Sequence, residues 1–167
     1  MSMIIDGTNG LTFNNATTQA SAGNVLQVVS NIVQTNSTYF STASSSFVST
    51  GFSVTITPKF ASSKIVLFHN AIIESANSNL ATALTIYRNG TNLATGTSPS
   101  AIGGLRGVSA YIDTNMPLNF VDSPNSTSAL TYTVYILTTS ATTYYGGNAG
   151  GGANSNVLSF IAMEIAA

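Results

Sequence analysis

Phe52-Ser53-Val54-Thr55-Ile56-Thr57 alternates apolar and hydroxyl side chains without a break, and Leu130 to Leu137 repeats the pattern with Leu130, Tyr132, Val134 and Ile136 on one side. Successive side chains of a strand point to opposite faces, so this period of two predicts half-buried β-strands. A third run, Ala83 to Arg88, is separated from Thr91-Asn92-Leu93-Ala94 by Asn89-Gly90. Both residues of that pair accept the positive φ that a tight hairpin turn demands. Further strands are expected near residues 25–34, 37–42, 64–75, 106–112, 117–121 and 156–166. No window carries a sustained helical face, because Ser, Thr, Asn and β-branched residues dominate. The pattern predicts an all-β chain: a single antiparallel β-sandwich of jelly-roll type.

The two ends depart from this texture. Residues 1–23 are turn-rich at Asp6-Gly7-Thr8-Asn9-Gly10, hold one short strand at Leu11-Thr12-Phe13, and are then small and polar. A segment that buries so little is expected to be an extended N-terminal arm, ordered against a partner, with the sandwich domain spanning 24–167. At the other end, Val157 to Ala166 is apolar on both faces. A strand covered on one side by its own opposing sheet needs cover for the second side, and closed oligomerisation supplies it. Leu158, Phe160, Ile161, Met163 and Ile165 are therefore the expected subunit interface.

Charge narrows the function. Lys and Arg number four and Asp and Glu five, a charged fraction of 5% with net charge −1, against ~25% in ordinary soluble domains. Four scattered cations (Lys59, Lys64, Arg88, Arg106) do not make a phosphate-binding surface, so no nucleic-acid partner is expected. With no Cys, there is neither a disulfide framework nor a thiolate site. The first residues lack the charged and apolar regions of a signal peptide, and the apolar stretch Ile65–Ile73 is broken by His69 and Asn70. The expectation is a protein made in a cytoplasm, without membrane insertion.

Gly10-Leu11-Thr12-Phe13-Asn14-Asn15-Ala16-Thr17-Thr18-Gln19 resembles a segment near the start of bacteriophage tail-fibre-like and virion surface proteins, those from phages of aquatic bacteria such as cyanobacteria above all. Phe47 to Pro58, Ser62-Ser63-Lys64-Ile65 and the hairpin Ile86 to Leu93 are similar to later segments of the same proteins. The C-terminal strand occupies the place of the last inner strand of trimeric jelly rolls like the tumour-necrosis-factor and C1q heads. The resemblance implies a non-enzymatic virion component: a homotrimer, made in the host bacterial cytoplasm, that decorates a capsid or forms a short tail fibre. Its arm, through Ile4, Ile5, Leu11, Phe13, Thr17 and Gln19, would dock to other capsid or tail proteins while the head faces outward for host attachment. Such fibres normally carry a shaft between arm and head, and none is present here.

The candidate chemistry is sparse. His69, the one histidine, shares a strand side with Ile65, Leu67 and Ala71 and reads as a partly buried, neutral, hydrogen-bonded residue. No Gly-x-Ser-x-Gly elbow accompanies it. Asp113 and Asp122 stand beside turn residues and read as turn caps, not as a glycosidase pair, and there is no Trp to form a sugar platform. Glu164 lies within the most apolar strand, where Arg88 or Arg106 is its expected partner. The Gly-rich run 146–152 lacks the ending of a phosphate loop and reads as a flexible apical loop. Tyr144, Tyr145 and Asn148 make it a candidate receptor-contact loop. The competing reading is a lectin-like adhesin that binds host surface glycan through loops 96–105 and 140–155. No cofactor, metal site or catalytic residue is expected.

Overall fold

The computed structural model describes residues 4–6, 10–12, 18–19, 25–75, 80–96, 100–108, 112–139, 142–147 and 156–166. Among these residues every regular element is a strand. In the N-terminal segment β1 (Ile4–Asp6), β2 (Gly10–Thr12) and β3 (Thr18–Gln19) form a small antiparallel meander, Ile5 opposite Leu11 and Leu11 opposite Gln19. The single short strand expected there is thus one of three that pair locally.

The rest of the chain forms β4 (Val25–Thr35), β5 (Phe40–Thr42), β6 (Val48–Ile56), β7 (Lys64–Ser75), β8 (Leu80–Arg88), β9 (Thr91–Asn92), β10 (Gly103–Val108), β11 (Ile112–Asp122), β12 (Leu130–Thr138), β13 (Thr143–Tyr145) and β14 (Asn156–Ile165). They build two antiparallel sheets. One runs β4-β14-β7-β13-β5, with β11 along the free edge of β7; the other runs β10-β8-β12-β6, with β9 on β8. Neighbours in space come from opposite ends of the chain, β4 beside β14 and β6 beside β12, and the path crosses repeatedly between sheets. This is the jelly-roll sandwich that the alternation predicts.

β7 is the hub of its sheet. Its Ile65–Ser75 edge pairs with β11, while its other edge pairs with β14 over Lys64–Asn70 and with β13 over Ile73–Ser75. β11 corrects the expected split into strands 106–112 and 117–121: one strand runs straight through Pro117, which stands opposite Asn70. Proline lacks a ladder donor, but β11 is an edge strand, where alternate amides have no partner strand to serve. Residues 103–108 belong instead to β10, in the other sheet.

Between the sheets lies one core. Phe52, Val54, Ile56, Leu84, Ile86, Tyr132, Val134 and Ile136 enter it from one sheet, and Ile65, Leu67, Ile73, Leu118, Leu158 and Phe160 from the other. Each large apolar side chain so buried stabilises the fold by roughly 1.5–3 kcal/mol. At the β8–β9 turn Asn89 and Gly90 adopt φ of 47° and 86°, as the hairpin requires. Asn89 Oδ1 also accepts the Thr131 amide at 2.8 Å, which ties the turn to β12.

Candidate functional site

The outer face of the β4-β14-β7-β11 layer is unusually apolar for a surface. Strand register places Val28, Met163, Val66 and Val121 in one row across all four strands. The next row holds Ser30, Ile161, Phe68 and Asn119. Val28 is 53% exposed, Ile32 62%, Phe68 42% and Val121 56%. Cross-strand partners share a face, so the side chains of each row adjoin one another, while Ile32 stands one row further on, opposite Ser159. Exposed Lys64 marks one end of the patch, opposite Ile165. The face arises from the sequence directly, because β14 and the middle of β7 are apolar at inward and outward positions alike.

That geometry divides the five residues expected at a subunit interface. Leu158 and Phe160 point the other way and are fully buried in the protomer's own core. They are unavailable to a neighbour, which corrects their assignment. Ile161, Met163 and Ile165 alternate with them and stand partly exposed on the outer face. Sequence reasoning missed Val28, Val66, Phe68 and Val121, whose signal was an apolar residue at the outward phase of three other strands.

The expected receptor-contact loop changes character as well. Tyr145 is fully buried, and its hydroxyl lies 3.1 Å from His69 Nε2. His69 Nδ1 lies 2.9 Å from the Ser159 carbonyl, which can only accept. Nδ1 therefore carries the hydrogen, and Nε2 accepts from Tyr145. Burial pushes the His69 pKa down to about 4, against the opposing pull of that carbonyl, so the ring is neutral as the sequence suggested. Phe52 and Phe160 pack around the pair. Tyr145 is thus a core residue and cannot touch a receptor. Tyr144 is partly exposed on β13, opposite Glu74 and Ser41, while Asn148 lies outside the described residues.

The start of the Gly-rich run is a tightly packed corner. Gly146 has φ +68°, and a Cβ there would come within 2.6 Å of Leu158. At Gly147 a Cβ would meet the Thr38 backbone. Of the arm residues, Ile4, Ile5, Leu11 and Gln19 lie on β1–β3, and Phe13 and Thr17 fall outside the described residues.

The buried charges have partners that were not foreseen. Glu164 is fully buried, but Arg88 does not serve it, and the Arg106 side chain lies outside the described residues. Its carboxylate accepts Gln27 Nε2 at 2.6 Å and the Lys59 amide at 2.7 Å. Burial raises its pKa, but these hydrogen bonds outweigh burial and hold it below the ordinary carboxylate value. Arg88 instead grips Asp122 at 2.7 and 2.8 Å, and Tyr132 donates its hydroxyl to the same carboxylate at 2.7 Å. Asp122 is therefore the anchor of an inter-sheet network, and Asp113 lies exposed within β11 rather than at a turn. Among the described residues, no group of three or more His, Cys, Asp or Glu side chains could hold a metal.

Together the strand order and this patch define a jelly-roll sandwich with apolar side chains exposed on one sheet face. Solved structures share the fold. A structure of the infectious bursal disease virus Gt strain aligns with TM-score 0.52 and 18% identity over 95% of this chain and 42% of the matched chain. The crystal structure of the same virus's VP2 subviral particle aligns with TM-score 0.51 and 17% identity over 84% and 40%. Its derived T=1 particles align with TM-score 0.51 and 14% identity over 97% and 46%. The chain thus spans less than half the length of these relatives in fold. No protein-family model matches it, and no curated protein sequence does.

Proposed function

We propose that this chain is a non-enzymatic virion structural protein, a homotrimer closed through the outer face of the β4-β14-β7-β11 layer. The observation that carries this reading is the apolar, solvent-facing row Val28, Met163, Val66, Val121, with Ile161 and Phe68 in the row beside it. Monomeric proteins seldom leave so continuous an apolar face bare, and closed cyclic symmetry is the ordinary way to cover one. The likeness in fold to viral capsid jelly rolls supports a place in a particle. Within that place, residues 1–23 anchor the trimer to capsid or tail proteins, and the β10-β8-β12-β6 sheet faces outward.

The test is a deletion of residues 1–23, expressed in infected cells alongside the full chain. The truncated protein is expected to remain a folded oligomer and to be missing from purified particles. Particles that incorporate it as well as the full chain would overturn the anchoring role. Full-length protein absent from purified particles would overturn the virion role itself.

A further inference from the structure

The outer face of the second sheet has different chemistry. Tyr87 on β8 and Tyr135 on β12 are diagonal neighbours whose rings stack with centroids 3.8 Å apart and 19° between planes. Phe47 meets Tyr87 edge-on at 6.4 Å. Beside them the segment after β9 folds back over the sheet, fixed by one side chain. Asn92 Oδ1 accepts the Thr85 hydroxyl at 2.6 Å and the Ala94 amide at 3.0 Å, and its Nδ2 donates to the Ser100 carbonyl at 3.0 Å. Between this wall and the Ser45-Ser46-Phe47 segment opens a cleft of about 590 Å³ with Tyr87 and Leu137 in its lining. A second hollow of about 480 Å³, lined by Ala83, Gly103, Gly104 and Thr139, shares Leu137 with it. The two adjoin at Leu137, and each lies within the ~300–1,000 Å³ of ordinary ligand sites.

The geometry points to a binding groove for a neutral oligosaccharide on this face. Among the described residues no side chain lining either hollow is charged, which favours a neutral polymer over a phosphate backbone or an acidic one. What the groove offers is rings held in place before binding, with the hydroxyls of exposed Ser45 and Ser46 at the rim. A sugar ring presents the matching surfaces: C–H faces to lie on an aromatic ring and hydroxyls to hydrogen-bond at its edge. Stacking on Tyr135 has already ordered Tyr87, so little side-chain entropy is lost on binding. Two hollows side by side suit linked sugars better than a single one. Of the two loops expected to bind glycan, the 96–105 segment lines this site through Ser100 to Gly104, whereas the 140–155 surface holds the buried Tyr145.

The experiment titrates the full chain, isotope-labelled, with neutral hexasaccharides of glucose, mannose, galactose and N-acetylglucosamine, and with an acidic hexagalacturonate control. At least one neutral oligomer is expected to shift the amide signals of Phe47, Tyr87 and Asn92, with affinity unchanged by added salt. Tyr87→Ala and Ala94→Arg are each expected to weaken binding about tenfold. If Tyr87→Ala fails to fold, Ala94→Arg decides, since it crowds the cleft from a partly exposed position. Absence of neutral-sugar binding at millimolar ligand, shifts confined to other surfaces, binding by the acidic oligomer alone, or full affinity in both variants would overturn the proposal. Oligomeric mass is measured in parallel, so failure here is distinct from failure of the assembly reading.

Discussion

The two outer faces of this sandwich are built from strands of the same alternation, yet they carry opposite surfaces. On the β4-β14-β7-β11 layer the outward phase carries Val28, Ile32, Val66, Phe68, Ile161, Met163 and Val121 among Ser, Asn and Gln. On the β10-β8-β12-β6 layer it is Ser and Thr around two stacked tyrosines. The inward phases are alike, because both close the same core. The difference shows that alternation determines the fold, while the residue type at the outward phase determines what each face meets. One face is suited to another copy of the chain, the other to water and hydrogen-bonding ligands.

The sharpest way to break this comparison is to charge the apolar face. Phe68→Glu combined with Val121→Lys is expected to convert the oligomer to folded monomers, read by light scattering after gel filtration. An unchanged mass would remove the contrast between the faces. A smaller effect, shared by both sheets, comes from His69 at the core between them. Its folded pKa of about 4 lies below the unfolded value of 6.5, so the unfolded chain takes up the proton first as pH falls. Stability should therefore be full above about pH 6.5 and decline by about 3 kcal/mol toward pH 4. The lowered pKa of Glu164 acts in the same direction at still lower pH. Urea melts across this range should show the decline in the native chain and a flatter profile in His69→Gln.

Next in size is Arg88→Met, which among the described residues leaves the largely buried Asp122 with Tyr132 as its side-chain donor. Because Arg88 is partly solvent-exposed, a loss of about 2 kcal/mol is expected in chemical denaturation. The smallest effect belongs to the polar face. Thr55 and Thr131 share an exposed hydrogen bond at 2.9 Å, and Thr55→Val is expected to change stability by less than about 0.5 kcal/mol with no change in oligomer size. A large shift in either would mean that this face is also an interface.

Much of the fold was legible because strand periodicity is local. Phe52, Val54 and Ile56, and Leu130, Tyr132, Val134 and Ile136, are buried as their spacing predicts, and Asn89-Gly90 turns the hairpin. Thr114-Asn115 misled because residues common in turns look the same in sequence when they stand inside an edge strand. β14 was ambiguous for another reason: when both phases are apolar, periodicity cannot say which one belongs to the protomer's own core. Hence Leu158 and Phe160 were assigned outward together with Ile161, Met163 and Ile165. Tyr145 read as loop chemistry because its partner, His69, is 76 residues away. The Arg88–Asp122 pair and the amides that hold Glu164 were hidden likewise, since only the crossing of the chain between sheets brings them together.

Sedimentation equilibrium of the full chain at micromolar concentration tests the central claim most directly. The account predicts a single species with the mass of three 17.2 kDa chains, unaffected by added salt because the contact is apolar. Well-folded single chains at that concentration would contradict it.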